Sequence, residues 1–237
     1  MAHLYLKLLG PFHATLDGAP LEGLRYDKAR ALLSYLAMEA ARPHPREKLA
    51  GLLWPDHPES AARQNLNQAL FVLRRALREP EAAVPFLLSA PDRVQWNPAS
   101  DAAVDARELA ALVAACQAHE HVRQEACAEC LPRLEQAAAL YEGPFLEGFS
   151  LADAPEFEEW CSLQRERAQR LAVQALAGLA EAHGQRREYA QALEAARRAE
   201  ALDPWREETQ RQLMTLLAES GDRNAALAQY ERCREAL

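Results

Sequence analysis

Apolar positions along the chain recur at helical spacing for much of its length, and most clearly between Glu59 and Leu77. Leu66, Leu70, Leu73 and Leu77 form one stripe there, so the pattern predicts a helix. Pro58 and Ser60 suit its start, and Pro80 prevents its continuation. The opposite side carries Gln64, Asn67, Gln68, Phe71, Arg74, Arg75 and Arg78, with no acidic residue between Glu59 and Glu79. Amides and guanidiniums without carboxylates suit base edges and phosphates. The plainer alternative is a solvated face on a core helix.

Before this helix, Leu4 to Leu9 and the stretch from Gly10 to Gly18 read as two short strands. Gly10-Pro11 breaks the first, and Asp17-Gly18 is a hairpin turn. Asp27 suits the N-cap of a helix through Ala40, with Leu32, Leu33, Leu36 and Ala37 inward. Arg42-Pro43-His44-Pro45 is a stiff break, and Arg46 to Trp54 is a short helix with Trp54 in the core. After the long helix, Phe86–Ser89 and Val94–Trp96 flank a hairpin at Ala90-Pro91-Asp92-Arg93. Strands, three helices and a closing hairpin are the order of a winged helix. Its third helix enters the major groove and its hairpin tip meets the backbone.

Beyond Pro98 the pattern is helical. Asp101–Ala118, Leu131–Tyr141 and Pro155–His183 each predict a helix. The C-terminal part holds an internal repeat. Ala192-Leu193 matches Ala226-Leu227 at an offset of 34, while Leu176, Leu179 and Gly184 match Leu213, Leu216 and Gly221 at 37. The first offset is the tetratricopeptide period. Helix pairs of this kind stack and leave a concave surface that suits a peptide or protein; purely structural helices are the alternative. The fold class expected is mostly α: an N-terminal winged helix-turn-helix over residues 1–98, then an all-α tetratricopeptide-like domain over 99–237. The sequence stops in a helical pattern, so a C-terminal truncation of a longer protein is expected.

Charge narrows the partners. The net charge is −8, but up to Pro98 twelve Lys and Arg face ten Asp and Glu, against fifteen and twenty-five beyond it. Only the front part suits phosphate, and only in patches. No apolar run reaches the length of a membrane span and no signal-peptide pattern opens the chain, so a cytoplasmic protein is expected, with no membrane partner. Five cysteines in 237 residues are not a disulfide framework. No P-loop, nucleophile elbow, dinucleotide turn or HExxH is present, so an enzyme is the weakest class.

Leu8-Leu9-Gly10-Pro11-Phe12, Lys28 to Leu33, Leu53-Trp54-Pro55-Asp56, Ala61 to Leu66 and Leu73 to Leu77 together resemble the Streptomyces antibiotic regulatory protein (SARP) family. Val104-Asp105-Ala106 and Leu140 to Leu146 look like that family's activator domain. The resemblance implies an OmpR-like winged helix joined to a bacterial transcriptional activator domain. It also implies binding to direct repeats in promoters and recruitment of RNA polymerase. Double-stranded DNA is the partner expected, with a homodimer open. On the third helix it lets Arg63, Asn67, Gln68, Phe71 and Arg75 read bases: amides pair with adenine, Arg with guanine, and Phe71 touches a thymine methyl or, alternatively, packs on the wing. Arg25, Lys28, Arg46, Lys48, Arg74 and Arg93 are candidates for the DNA backbone, though each lone cation also fits a solvated role, and Arg74 an internal acid. The other function class is an adaptor whose winged helix and repeats bind proteins.

One cluster stands apart. Cys116, His119, His121, Cys127 and Cys130 have the spacing C-x2-H-x-H-x5-C-x2-C between two predicted helices. Such ligands can close a tetrahedral, structural zinc site. Which histidine would bind is open, and the alternative is that the cysteines are small apolar core residues.

Overall fold

The computed structural model describes residues 2–79, 84–119, 127 and 129–236. Two compact units emerge: Met1–Arg107 with Gly143–Arg165, and Glu108–Glu142 with Glu166–Leu237. Residues 143–165 thus pack with the front of the chain, so the division is not one break at residue 98.

The first unit begins with β1 (Leu4–Lys7), β2 (His13–Leu16) and β3 (Ala19–Pro20). β1 pairs antiparallel with β2, Leu4 opposite Leu16. Asp17 and Gly18 both take positive φ (53° and 79°), the conformation that a tight hairpin turn needs. The sheet order is β3-β2-β1-β7, where β7 (Ala102–Val104) runs parallel to β1. The predicted helix from Asp101 is therefore corrected: residues 102–104 are a strand, and α4 spans Asp105–Ala118. The junction is set by Asp105, which is buried and accepts the backbone N–H groups of Leu8 and Leu9 at 2.8–2.9 Å. Burial pushes the Asp105 carboxyl up, while the N–H groups of Leu9, Leu8 and Ala106 pull it down.

Next come α1 (Asp27–Met38), β4 (His44–Pro45), α2 (Arg46–Leu53), α3 (Glu59–Ala76), β5 (Leu87–Ser89) and β6 (Arg93–Trp96). Asp27 is the first helical residue of α1, and Tyr26 occupies the N-cap without a side-chain cap bond. β4, β6 and β5 form an antiparallel three-stranded sheet. The Arg42–Pro45 break thus contains a strand, too short to alternate. The stripe of α3 is buried through Leu66, Leu70 and Leu73, with Leu77 just beyond. Each such leucine contributes about 1.5–3 kcal/mol of burial. Arg78, at φ 52°, turns the backbone left-handed and stops the helix. Trp54 is core, as expected. Tyr35, Phe145, Phe157 and Trp160 close an aromatic cluster with ring centroids 5.0–5.6 Å apart.

The second unit holds most of α4, then α5 (Cys130–Leu140), the greater part of α6 (Pro155–Gln185), α7 (Tyr189–Leu202), α8 (Glu207–Glu219) and α9 (Arg223–Ala236). The repeat is real at the level of elements: α6–α7 and α8–α9 are successive helix pairs. Gly178 and Gly184 explain the close packing. A Cβ on Gly178 would lie 3.0 Å from Leu134, and one on Gly184 would lie 2.8 Å from Leu216. The fold is the expected winged helix-turn-helix followed by tetratricopeptide-like helices.

Candidate nucleic-acid interface

α3 carries its polar residues outward because its apolar stripe is anchored inward. Arg63, Gln64, Asn67, Gln68, Phe71 and Arg75 are all exposed or half-buried at most. Phe71 is 60% exposed. Gln68, Phe71 and Arg75 line a groove of about 480 Å³ beside the β2–β3 hairpin, with Leu16 and Pro20 opposite. Gln68 and Arg75 have no hydrogen-bond or ion-pair partner among the described residues. A flat aromatic, an amide and a guanidinium are thus presented together, with their donors open.

Two other predicted readers are already engaged. Arg63 sits between Glu59 at 3.0 Å and Glu47 at 3.2 Å. These are exposed pairs, each holding about 0.2–1 kcal/mol, so a stronger acceptor can displace them. The side-chain oxygen of Asn67 accepts from Arg46 at 2.8 Å. Its amide N–H groups remain for an acceptor, which suits a purine N7 better than the full bidentate adenine pair.

The cations diverge more. Lys28 is corrected from a backbone-contact candidate to an internal tie. Its ammonium donates to the Leu53 carbonyl at 2.6 Å and to Asp153 at 2.7 Å, and lies over the Trp54 ring. A side chain 8% exposed cannot reach a phosphate outside the fold. Arg46 is also internal: it donates to the Ala90 carbonyl at 3.0 Å, to Ser89 Oγ at 2.7 Å and to Asn67, fastening α2 and α3 to the hairpin. Burial, then the nearby Arg74 charge, lowers its pKa. Arg74 takes the internal-acid option, 3.3 Å from the buried carboxylate of Glu79. Burial pushes Glu79 up, opposed by the Leu87 N–H and by Arg74.

Arg25 and Lys48 are exposed, with no charged partner among the described residues. Arg93 stands at the hairpin, paired to its neighbour Asp92 at 2.8 Å. Arg78, placed by the sequence on the outward side of the α3 stretch but given no specific contact, is exposed. It lies on the same groove as Arg75. Its spacing, three residues beyond Arg75, was the available signal.

The cysteine cluster is partly assembled. His119 Nδ1 lies 3.3 Å from Cys127 Sγ and 3.4 Å from Cys130 Sγ. The buried Cys116 thiol lies 3.7 Å from the Cys130 carbonyl. His121 lies outside the described residues. Burial, with the Cys127 and Cys116 thiols, pushes the Cys130 thiol up to about 12. For Cys127, desolvation acts upward, but the backbone N–H groups of Cys130 and Glu129 outweigh it and hold the thiol low. Among the described residues no helix is long and apolar enough to cross a membrane.

Comparison with known proteins agrees with this architecture. The family model of the bacterial transcriptional activator domain matches residues 104–237. Among solved structures, the chain is similar to Mycobacterium tuberculosis EmbR, determined in complex with a low affinity phosphopeptide. The TM-score is 0.78 at 26% identity, over 100% of this chain and 60% of that one. The chain thus spans about 60% of that protein's length. A comparison with curated proteins finds no match.

Proposed function

The chain belongs to the bacterial transcriptional activator domain family, in the SARP arrangement of winged helix plus activator domain, and on that premise we propose that it is a sequence-specific DNA-binding activator. The winged helix within residues 1–98 binds DNA, and the activator domain follows it, with residues 143–165 of that domain packed in the first unit. α3 lies in the major groove, where Gln68, Phe71 and Arg75 read bases and Arg63 and Asn67 assist once their internal partners are exchanged. Arg25, Lys48 and Arg93 hold the backbone. Promoter direct repeats are the target, the activator domain contacts RNA polymerase, and self-association places two copies on one promoter. The protein works in the cytoplasm and is not an enzyme.

The observation that carries this is the free outward face at Gln68, Phe71 and Arg75. Glu22 lines the same groove, but neither Gln68 nor Arg75 forms a hydrogen bond or ion pair with it or with any other acid among the described residues. The test is duplex affinity against salt. Three backbone cations and the α3 arginines imply a log–log slope near −0.9 for each phosphate neutralised, so a slope of about −3 to −5 is expected. A flat response on every duplex selected from a random pool favours the adaptor. The near balance of charge up to Pro98 is the observation behind that second reading.

A further inference from the structure

The ends of α4 and α5 bring three soft or borderline donors together. His119 Nδ1, Cys127 Sγ and Cys130 Sγ all lie within 4.8 Å of one another. A tetrahedral zinc with Zn–S near 2.3 Å and Zn–N near 2.0 Å sets its nitrogen and sulfur ligands about 3.6 Å apart. The nitrogen–sulfur separations here are 3.3 and 3.4 Å, so an ion enters with shifts of a few tenths of an ångström.

A second observation concerns the far side of the imidazole. His119 Nε2 lies 3.7 Å from a carboxylate oxygen of Glu129, which Arg133 also approaches at 3.7 Å. A metal-bound histidine commonly gives its other N–H to a carboxylate, which fixes the tautomer and raises the basicity of the ligating nitrogen. The same side chain therefore has sulfur at one nitrogen and carboxylate at the other, in the order a metal site uses.

We propose that His119, Cys127 and Cys130 bind one zinc ion, with Cys116 supplying the fourth ligand and Glu129 orienting the histidine. Cys116 is buried on α4 with its thiol 3.7 Å from the Cys130 carbonyl; its sulfur lies outside the 4.8 Å grouping of the other three, so it turns toward the ion on binding. Four protein ligands leave no open position, so the site is structural: it ties the end of α4 to the start of α5. Binding releases the three thiol protons and forms three Zn–S bonds and one Zn–N bond, with no change of oxidation state. Neither the DNA-binding nor the activator role is needed for this site.

The test uses the whole chain, purified under reducing conditions, loaded with zinc, dialysed and analysed for metal. One equivalent retained is expected, and cobalt substitution should give the visible absorption of a tetrahedral thiolate site. The double substitution Cys127→Ser with Cys130→Ser should lose the metal, whereas Cys233→Ser should keep it. Glu129→Gln, at an exposed position, should leave the fold intact and weaken zinc binding roughly 10–100-fold. Retention near zero in folded wild-type protein overturns the proposal, and so does a full equivalent retained by the double variant.

Discussion

Two regions of the first unit look alike as text and differ as surfaces. The outward side of α3 and the starts of α1 and α2 both carry cations that fit phosphate. On α3, Arg75 ends in solvent. At the start of α1, Lys28 ends on the Leu53 carbonyl and Asp153, and at the start of α2, Arg46 ends on Ala90, Ser89 and Asn67. A basic residue tied to buried partners within the fold is not a candidate for DNA, whereas one that is free, or held only by an exposed and displaceable pair, is. The first group should therefore govern binding, and the second should govern stability.

The largest expected effect lies in the second group. Lys28→Met leaves a buried carbonyl without its donor and breaks the pair to Asp153, so a loss of about 2–4 kcal/mol in denaturant unfolding is expected. Duplex affinity of the remaining folded protein should change little. A normal midpoint with lost binding would reverse the assignment. Arg46→Ala comes next, at about 1–3 kcal/mol of stability, since three donations disappear from a half-buried site. It should also free Asn67, so its binding defect should be smaller than that of Arg75→Ala.

For the first group the pattern inverts. Arg75→Ala should keep the unfolding midpoint and lose about 1–3 kcal/mol of discrimination between the selected and random duplexes. An equal loss on both would make Arg75 a backbone contact. Lys48→Ala should weaken all duplexes alike and reduce the salt slope by about 1.

Much of this division was hidden in the sequence for a definite reason. The α3 stripe, the Asp17-Gly18 turn, the core role of Trp54 and the repeated helix pairs are local patterns, and local patterns are legible. The partner of Lys28 is 125 residues away, at Asp153, and Arg46 reaches 43 and 21 residues along the chain to Ser89 and Asn67. Spacing along one segment does not reveal such pairings. β4 and β7, of two and three residues, exist because β6 and β1 pair with them, not because their own residues alternate. In the cysteine cluster the spacing was visible, but the placement of the two His119 ring nitrogens between sulfur and carboxylate was not.

The smallest expected effect concerns pH. Lys28, through its hydrogen bond, holds the Asp153 carboxyl below its ordinary value. A depressed folded pKa gives stability that is full above the unfolded value, about 3.9, and is lost as pH falls through the folded one. Asp153 is 58% exposed, so the contribution stays below about 1 kcal/mol. Asp153→Asn should remove that part of the acid dependence in unfolding measurements between roughly pH 5 and 2.

The central claim is that the outward face of α3 touches bases. Replacing Phe71 with a photoreactive benzoyl-phenylalanine and irradiating the complex with a selected duplex tests it at one position. Covalent adducts mapping to bases inside the selected repeat are expected, and none from the same replacement at the exposed Trp205 of the second unit. Adducts from position 71 confined to protein, with the duplex unmarked while still bound, would contradict the account.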